Sequence, residues 1–162
     1  MEAATYVYIQ VVEKPARRVI LKRGKRAADY FAYCGEVGCD IWEQLTAMLP
    51  GGGEPVCLWL PDRYRKPDTS VYVQGVELPL EDNRPVPEGF DAIELSAALY
   101  LRFQGEPFPE EEYGRAVEEL QEAIRRYEPA SIGYAWDKEN PRVQLQPIGS
   151  RGYIEYMAVK KQ

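Results

Sequence analysis

Histidine is absent from the 162-residue sequence. Its absence excludes histidine zinc sites, Ser-His-Asp and Cys-His catalytic groups, and any histidine general base. Proton transfer would therefore need a carboxylate, tyrosine, lysine, cysteine or water. We expect no metal site and no cofactor.

Positive charge is also scarce. The chain has 20 Lys and Arg against 26 Asp and Glu, which gives a net charge of −6. Proteins that bind nucleic acid or anionic membranes use an excess of Lys and Arg to neutralise phosphate. We therefore expect neither nucleic acid nor a membrane as a direct partner. The sequence also contains no apolar run long enough to span a bilayer.

Cysteine is limited to Cys34, Cys39 and Cys57, and no pair has the C-x-x-C spacing of a zinc or redox site. We interpret all three as small, buried, apolar residues with free thiols. Free thiols, together with an N-terminus that lacks the pattern of an export signal, predict a cytoplasmic protein.

The hydrophobic pattern predicts the same order of elements twice. A helix is predicted from about Asp29 to Leu49 in the first half, although Gly35 and Gly38 weaken its beginning. A second helix is predicted over 110–127. Strands are predicted in the first half over 6–11, 18–21, 56–60 and 70–78. In the second half they are predicted over 92–103, 131–136, 143–147 and 153–159.

This order predicts one α+β domain over residues 1–162, built from two β-α-β-β halves. The halves are about 1–82 and 90–162, joined by a Pro- and Gly-containing linker at 83–89. We expect one antiparallel sheet with both helices on one face, a pseudo-twofold axis, and a ligand groove where the halves meet. Residue identity between the halves is low, so this inference depends on the periodic pattern.

Tyrosine is abundant, with 12 Tyr against 4 Phe and 3 Trp. Tyrosine-rich interiors suit a groove that is apolar but still forms hydrogen bonds. The alternative is that these rings are ordinary strand and packing residues. The candidate ligand-binding residues are Tyr33, Trp42, Trp59, Tyr72, Phe103, Trp136, Gln144, Tyr153 and Glu155.

Glu155 is the acid of most interest because aromatic and apolar residues surround it. Strand alternation places Tyr153, Glu155 and Met157 on one side. If that side is buried, the carboxylate could bind a cation or act as a general base, which makes Glu155 the candidate catalytic residue. If that side faces water, Glu155 is an ordinary solvated residue.

Several motifs together resemble the GyrI-like superfamily, which includes the effector-binding domains of AraC-type and MerR-type multidrug regulators. The resemblance spans nearly the whole chain and implies an aromatic groove, often with a buried glutamate that meets lipophilic cations. It also implies the stand-alone branch, because no helix-turn-helix precedes the first strand. The motifs are Arg23-Gly24, Asp29–Cys34, Glu36–Trp42, Leu58–Pro61, Tyr72–Glu77, Pro87–Phe90 and Arg151–Glu155.

One departure from the superfamily concerns a Glu-x-Tyr pair that many relatives carry near residue 144. Here the sequence reads Gln144-Leu145-Gln146, so an amide stands where those relatives have a carboxylate. Glu155 is then the nearest remaining carboxylate for a cation.

Three functions are therefore open. The first is a binding module for a flat, hydrophobic, toxic or drug-like molecule, acting as a monomer or a homodimer. The second, implied by hydrolases within the superfamily, is the opening of strained cyclopropane rings with Glu155 as the base. The third is an acidic inhibitor or adaptor of a DNA enzyme.

Overall fold

Nine strands of the described residues form one antiparallel sheet in the computed structural model, which describes residues 6–49, 51 and 53–162. The sheet order is β1-β6-β9-β8-β3-β4-β2-β5, and β7 also pairs with β9. The strands are β1 (Val7–Lys14), β2 (Arg17–Lys22), β3 (Val56–Trp59), β4 (Tyr72–Pro79), β5 (Asp91–Leu95), β6 (Ala98–Gly105), β7 (Tyr134–Trp136), β8 (Arg142–Gln144) and β9 (Ile154–Lys161). The helices are α1 (Tyr30–Val37), α2 (Ile41–Ala47) and α3 (Tyr113–Arg126). The predicted α+β class is confirmed.

Two short connections force the sheet to curl. Pro15-Ala16 joins β1 to β2, and Ser96-Ala97 joins β5 to β6, yet each connection links strands near opposite ends of the sheet order. A two-residue connection spans no more than about 11 Å, so the two ends of the sheet come together. The inner face encloses an apolar cluster formed mainly by Val19, Leu21, Val56, Leu58, Val73, Leu95, Tyr100 and Val143.

A buried ion pair closes the seam where the two ends meet. Arg17 of β2 donates to the Glu77 carboxylate at 2.5 Å and to the Tyr100 hydroxyl of β6 at 3.1 Å. Lys14 Nζ lies 2.9 Å from the same carboxylate. Burial alone would raise the pKa of Glu77, but the two cations outweigh burial and lower that pKa. Charge pairing thus fastens β2 and β4 to β6 inside the curl.

All three helices cover the outer face of the sheet. Tyr33, Ile41 and Leu45 from α1 and α2 pack against strands of the first half, and Leu120 and Ile124 of α3 pack against β6. Strand pairing places the sheet residues beneath both helix layers on the same face, as predicted. No helix in the described part of the chain has the length and apolar composition needed to cross a membrane.

The predicted helix over 29–49 is wrong as a single helix. It breaks at Gly38, whose φ of 95° lies in a region that a side chain disfavours, so α1 ends there and α2 starts again at Ile41. Asp29 begins α1 as predicted, and its side chain accepts from the Ala32 amide at 2.9 Å. Pro50 and Gly52, part of the predicted helix stop, lie outside the described residues.

Two predicted strands also differ from the structure. The run over 92–103 is two strands, because the chain leaves β5 at Leu95, crosses the seam where the ends of the sheet meet, and enters β6 at Ala98. The run over 131–136 starts with a single helical turn, Pro129–Ile132, and only its last three residues form β7. The first departure arises from strand pairing, which the local pattern does not contain, whereas the helical turn begins at Pro129 and ends at Gly133, whose φ of 85° favours glycine.

The prediction of three free thiols is wrong. Cys34 and Cys39 form a disulfide across the break between α1 and α2, whereas Cys57 is buried and unpaired as expected. The two paired residues flank the turn at Gly38, so the bond ties the end of α1 to the start of α2. Cysteine usage therefore gives no support to a reducing compartment.

Gly75 of β4 is expected to tolerate no side chain. An added Cβ would lie 2.5 Å from the Ile20 backbone oxygen, so Gly75→Ala should cost about 1–3 kcal/mol. For a chain of this size each kcal/mol is worth ~2–4 °C in Tm. Gly35→Ala is the matched control, because nothing lies within 4 Å of its added Cβ and alanine favours a helix by roughly 0.5–1 kcal/mol. Thermal melts should show opposite signs, and equal shifts would contradict the packing described.

Thiol counting checks the cysteine pairing. The unreduced chain in denaturant should react with a thiol reagent at one position, Cys57, and a reduced chain at three. The folded, unreduced chain should react slowly, because burial shields Cys57 and raises its thiol pKa to about 12. Three reactive thiols without reductant would contradict the disulfide.

Candidate functional site

Glu155 lies at the centre of the helix-bearing face. Its strand, β9, runs between β6 and β8, where Glu155 pairs with Phe103 on one side and Gln144 on the other. The side chain is 0% exposed. The structure thus selects the buried alternative of the two that strand alternation allowed.

Three side chains donate hydrogen bonds to the Glu155 carboxylate. Arg142 Nε lies 2.6 Å from Oε1 and its Nη2 forms an ion pair with the same oxygen. Gln121 of α3 donates to Oε2 at 3.0 Å, and the Tyr153 hydroxyl donates to Oε2 at 2.5 Å. A buried carboxylate survives in a protein only when it is paired in this way. These donors come from β8, from α3 and from the segment just before β9.

A hydrogen-bond chain joins this carboxylate to the first half of the protein. The Tyr72 hydroxyl donates to Gln144 Oε1 at 2.8 Å, and Gln144 Nε2 donates to the Tyr153 hydroxyl at 2.6 Å. Burial raises the pKa of both tyrosines, and the Glu155 charge raises that of Tyr153 further. Both hydroxyls therefore stay protonated and donate toward the carboxylate.

The amide of Gln144 is essential to this chain. It accepts from Tyr72 and donates to Tyr153 at the same time, which a carboxylate cannot do. A carboxylate at this position would also lie directly across the strand pair from Glu155, where like charges repel. An amide at position 144 is thus matched to the presence of Glu155.

Gln74 lies next to this chain and is 1% exposed. Its Nε2 is 3.5 Å from the Tyr72 hydroxyl, and its Oε1 is buried without a hydrogen-bond partner among the described residues. Leaving such an oxygen unsatisfied costs stability. The cluster therefore contains a buried hydrogen-bond acceptor, Gln74 Oε1, without a donor among the described residues.

Trp59 provides the aromatic wall of the cluster. It pairs with Arg142 across β3 and β8, and the Arg142 guanidinium carbon lies 5.0 Å from the centre of its ring. The indole nitrogen donates to the Ala28 carbonyl at 2.9 Å, which fixes the ring. The rings of Tyr72 and Trp59 meet edge to face at 5.3 Å, and Tyr33 packs on Tyr72 at 5.5 Å.

Most of the predicted site residues come together, but two tryptophans lie apart. Trp136 of β7 pairs with Val159, four residues beyond Glu155, which is about 13 Å along β9. It packs against Phe103 at 6.5 Å. Trp42 packs half-buried within the helix cluster of the first half. The residues that share the central cluster are Tyr33, Trp59, Tyr72, Gln144, Tyr153 and Glu155, with Phe103 as strand partner of Glu155.

Two important residues were not among the predictions. Arg142 shares a strand face with Gln144, so the period of two could have found it. Gln121 lies one helical turn from Val117 and Ile124, and a polar residue among the buried positions of a helix is a usable signal. Glu36 lies outside the cluster, where it accepts from the backbone amides of residues 25–27 and holds that basic turn.

A cleft of about 550 Å³ opens beside the start of α3. Phe108, Leu120 and Tyr153 give it an apolar wall, and Glu106, Glu119 and Arg115 line it with charges of both signs. Tyr153 belongs both to this wall and to the carboxylate cluster. Among the described residues, no group of three or more acidic or cysteine side chains is placed to hold a metal ion.

No family model matches the sequence, and no curated protein matches it either. Solved structures do match. SAV2435 bound to tetraphenylphosphonium superposes with a TM-score of 0.60 at 14% identity, covering 94% of both chains. A bacterial transcription regulation protein from Staphylococcus aureus MU50 gives 0.58 at 14% identity, covering 94% of this chain and 98% of that one. The EcmrR C-terminal domain gives 0.56 at 13% identity, covering 99% and 100%.

The chain shares its fold with SAV2435 and with the EcmrR C-terminal domain. The fold that the sequence motifs implied is therefore confirmed. At these identities the likeness establishes the architecture, and the chemistry of the site has to be argued from this chain's own residues.

Gln144→Glu should destabilise the protein in a pH-dependent way. The new carboxylate would face Glu155, so its pKa in the folded state would exceed the unfolded value of about 4.3. If the pKa of the new carboxyl group is one or two units higher in the folded state, the folded state loses roughly 1–3 kcal/mol of stability at pH values above that folded-state pKa. At pH values below the unfolded-state pKa the folded state loses none of this stability. The Tm deficit should therefore be largest at pH 7–8 and shrink toward pH 4.

Gln146→Glu is the matched control, because Gln146 is exposed on the same segment. Its Tm should follow the unmodified chain at every pH. If Gln144→Glu melts like this control at pH 7–8, Gln144 is not the amide link described here.

Proposed function

We propose that the protein binds a flat, hydrophobic small molecule of the toxic or drug-like kind over the Trp59–Tyr72–Glu155 cluster. The observation that carries the proposal is a fully buried carboxylate beside an indole face at the centre of the sheet. Burying a charge is costly, and the hydrophobic core alone does not require one here. A carboxylate held next to aromatic rings is suited to recognising positive charge on a lipophilic molecule.

The fold comparison supports a lipophilic, cationic ligand but not its flatness, because tetraphenylphosphonium is tetrahedral. SAV2435, with the same architecture over 94% of this chain, has been solved bound to tetraphenylphosphonium. That molecule is a cation enclosed by phenyl rings. We propose that the present chain acts likewise as an effector-binding domain, with Glu155 as the charged recognition group.

Strand order supports a duplicated, single-domain architecture for the site. Read from either end, the central order β6-β9-β8-β3-β4-β2 places the strand that precedes the helices of a half outermost, its last strand next and its last-but-one strand in the middle. The proposed pseudo-twofold axis then passes between β3 and β8. Trp59 and Tyr72 come from one half, and Gln144, Tyr153 and Glu155 come from the other.

The alternative functions gain no support from this geometry. Both oxygens of Glu155 already accept hydrogen bonds from Arg142, Gln121 and Tyr153, which suits a fixed charge better than a base that must take a proton. We therefore propose a binding protein that is either a monomer or a homodimer. Its direct partner would be a small molecule, with neither nucleic acid nor a membrane bound directly.

Tryptophan fluorescence tests the proposal, with tetraphenylphosphonium as the probe. We expect saturable quenching with a micromolar Kd, measured in parallel by calorimetry. Trp59→Phe should remove most of the quenching and weaken binding, because the probe would lie against that ring. Trp136→Phe is the matched control and should leave the Kd unchanged, because its ring packs against Phe103 of β6, three strand positions from Trp59.

The proposal fails if calorimetry detects no binding of tetraphenylphosphonium or of a panel of planar aromatic dyes. It also fails if Trp136→Phe abolishes binding while Trp59→Phe retains it, since the ligand would then lie elsewhere.

A further inference from the structure

Arg142 already occupies the place that a cationic ligand would take. Its guanidinium lies over the Trp59 ring at 5.0 Å and its N–H groups meet the Glu155 carboxylate. Strand register explains the geometry, because Arg142 is the direct partner of Trp59 and the diagonal neighbour of Glu155 across β8 and β9. A planar cation stacked on an aromatic face and bonded to a carboxylate is a complete recognition arrangement.

We propose that the Arg142 side chain fills the ligand site when no ligand is bound. The ligand that displaces it is a planar aromatic cation bearing N–H donors, such as an aryl amidine or aryl guanidine. This inference rests on the proposed function and specifies its ligand class. The group that fills the site indicates which ligand chemistry fits there, because it is a flat cation stacked on Trp59 with N–H donors directed at Glu155.

The donor requirement follows from the acceptors at the site. Glu155 Oε1 receives its hydrogen bond and ion pair from Arg142, so a replacement without N–H groups would leave that buried oxygen unsatisfied, at a cost. Gln74 Oε1, a buried acceptor without a described partner, adds to the demand for donors in this cluster. Tetraphenylphosphonium has charge and rings but no N–H, so it should satisfy the site only in part.

The exposure of the two side chains allows a ligand to displace the Arg142 guanidinium from Glu155. The Arg142 side chain is 30% exposed whereas Glu155 is 0% exposed, so the guanidinium can swing toward solvent while the carboxylate stays in place. Gln121 and Tyr153 continue to hold the other carboxylate oxygen. Because the competing cation is attached to the same chain, it lowers the apparent affinity of every external cation by the fraction of time it fills the site.

Chemical rescue tests the inference, with benzamidine as the probe and benzamide as its uncharged match. Arg142→Ala should lower the Tm, because a buried carboxylate loses its partner. Benzamidine should raise that Tm in a saturable manner and should bind Arg142→Ala at least tenfold more tightly than the unmodified chain by calorimetry. Benzamide should neither raise the Tm of Arg142→Ala nor bind it more tightly. The affinity for tetraphenylphosphonium should increase less on this substitution than the affinity for benzamidine. The double variant Arg142→Ala/Glu155→Gln should lose the rescue.

Equal affinity of benzamidine for Arg142→Ala and for the unmodified chain would overturn the inference, as would rescue by benzamide. The proposed ligand class is wrong if Arg142→Ala increases the affinity for tetraphenylphosphonium as much as it increases the affinity for benzamidine. If Trp59-dependent quenching by tetraphenylphosphonium persists while benzamidine fails, the proposed function stands and this inference falls. If benzamidine rescues Arg142→Ala but no aromatic ligand binds the unmodified chain, the proposed function fails instead.

Should Arg142→Ala not fold, the unmodified chain gives the same answer by NMR. The Arg142 Nε–H resonance reports its hydrogen bond to Glu155. Its shift toward the position of solvent-exposed arginines on addition of benzamidine supports displacement, and an unmoved resonance at tens of millimolar benzamidine overturns it.

Discussion

The desolvated carboxylate of Glu155 is the constraint on which the rest of the site depends. With no exposure to water, it requires donors from β8, from α3 and from the residue before β9. Those donors fix how α3 lies on the sheet and how β8 pairs with β9. A slip of one residue in that pairing would turn Glu155 to the inner face, among valines and leucines. A single charge thus specifies a register that apolar packing alone would leave less certain.

Two buried ion pairs stabilise the sheet, and their exposure differs. At the seam, the Arg17 side chain is 5% exposed and is enclosed with Glu77 and Tyr100. At the centre of the outer face, Arg142 is 30% exposed and stacks on an indole that packs against another ring. In the first pair the cation is the more buried partner, and the pair joins the ends of the curl. The second has a partly exposed cation and a fully buried carboxylate, which is the arrangement expected where a ligand can replace the cation.

Local periodicity predicted much of this structure, and the failures concern contacts between distant segments. The apolar stripe of α3 and the alternation around Glu155 depend on neighbouring residues, so the sequence contains them directly. The division of the run over 92–103 into β5 and β6 depends on which strands pair, and Arg142 becomes part of the site only through its pairing with Trp59. The break at Gly38 had a local signal in the glycine itself, but the disulfide around it had none. Motif resemblance supplied the fold where periodicity could not supply the topology.

The crossing of β1 and β5 between the halves has a consequence for how the chain assembles. β1 comes first in the sequence yet pairs with β6, more than eighty residues later, and β5 returns to pair with β2. As the chain emerges from the ribosome, β1 has no partner until the middle of the protein has been made. Contacts this distant slow folding and leave an unpaired strand exposed in the meantime. The two halves are therefore expected to fold together, because each supplies an outer strand that pairs with the other half.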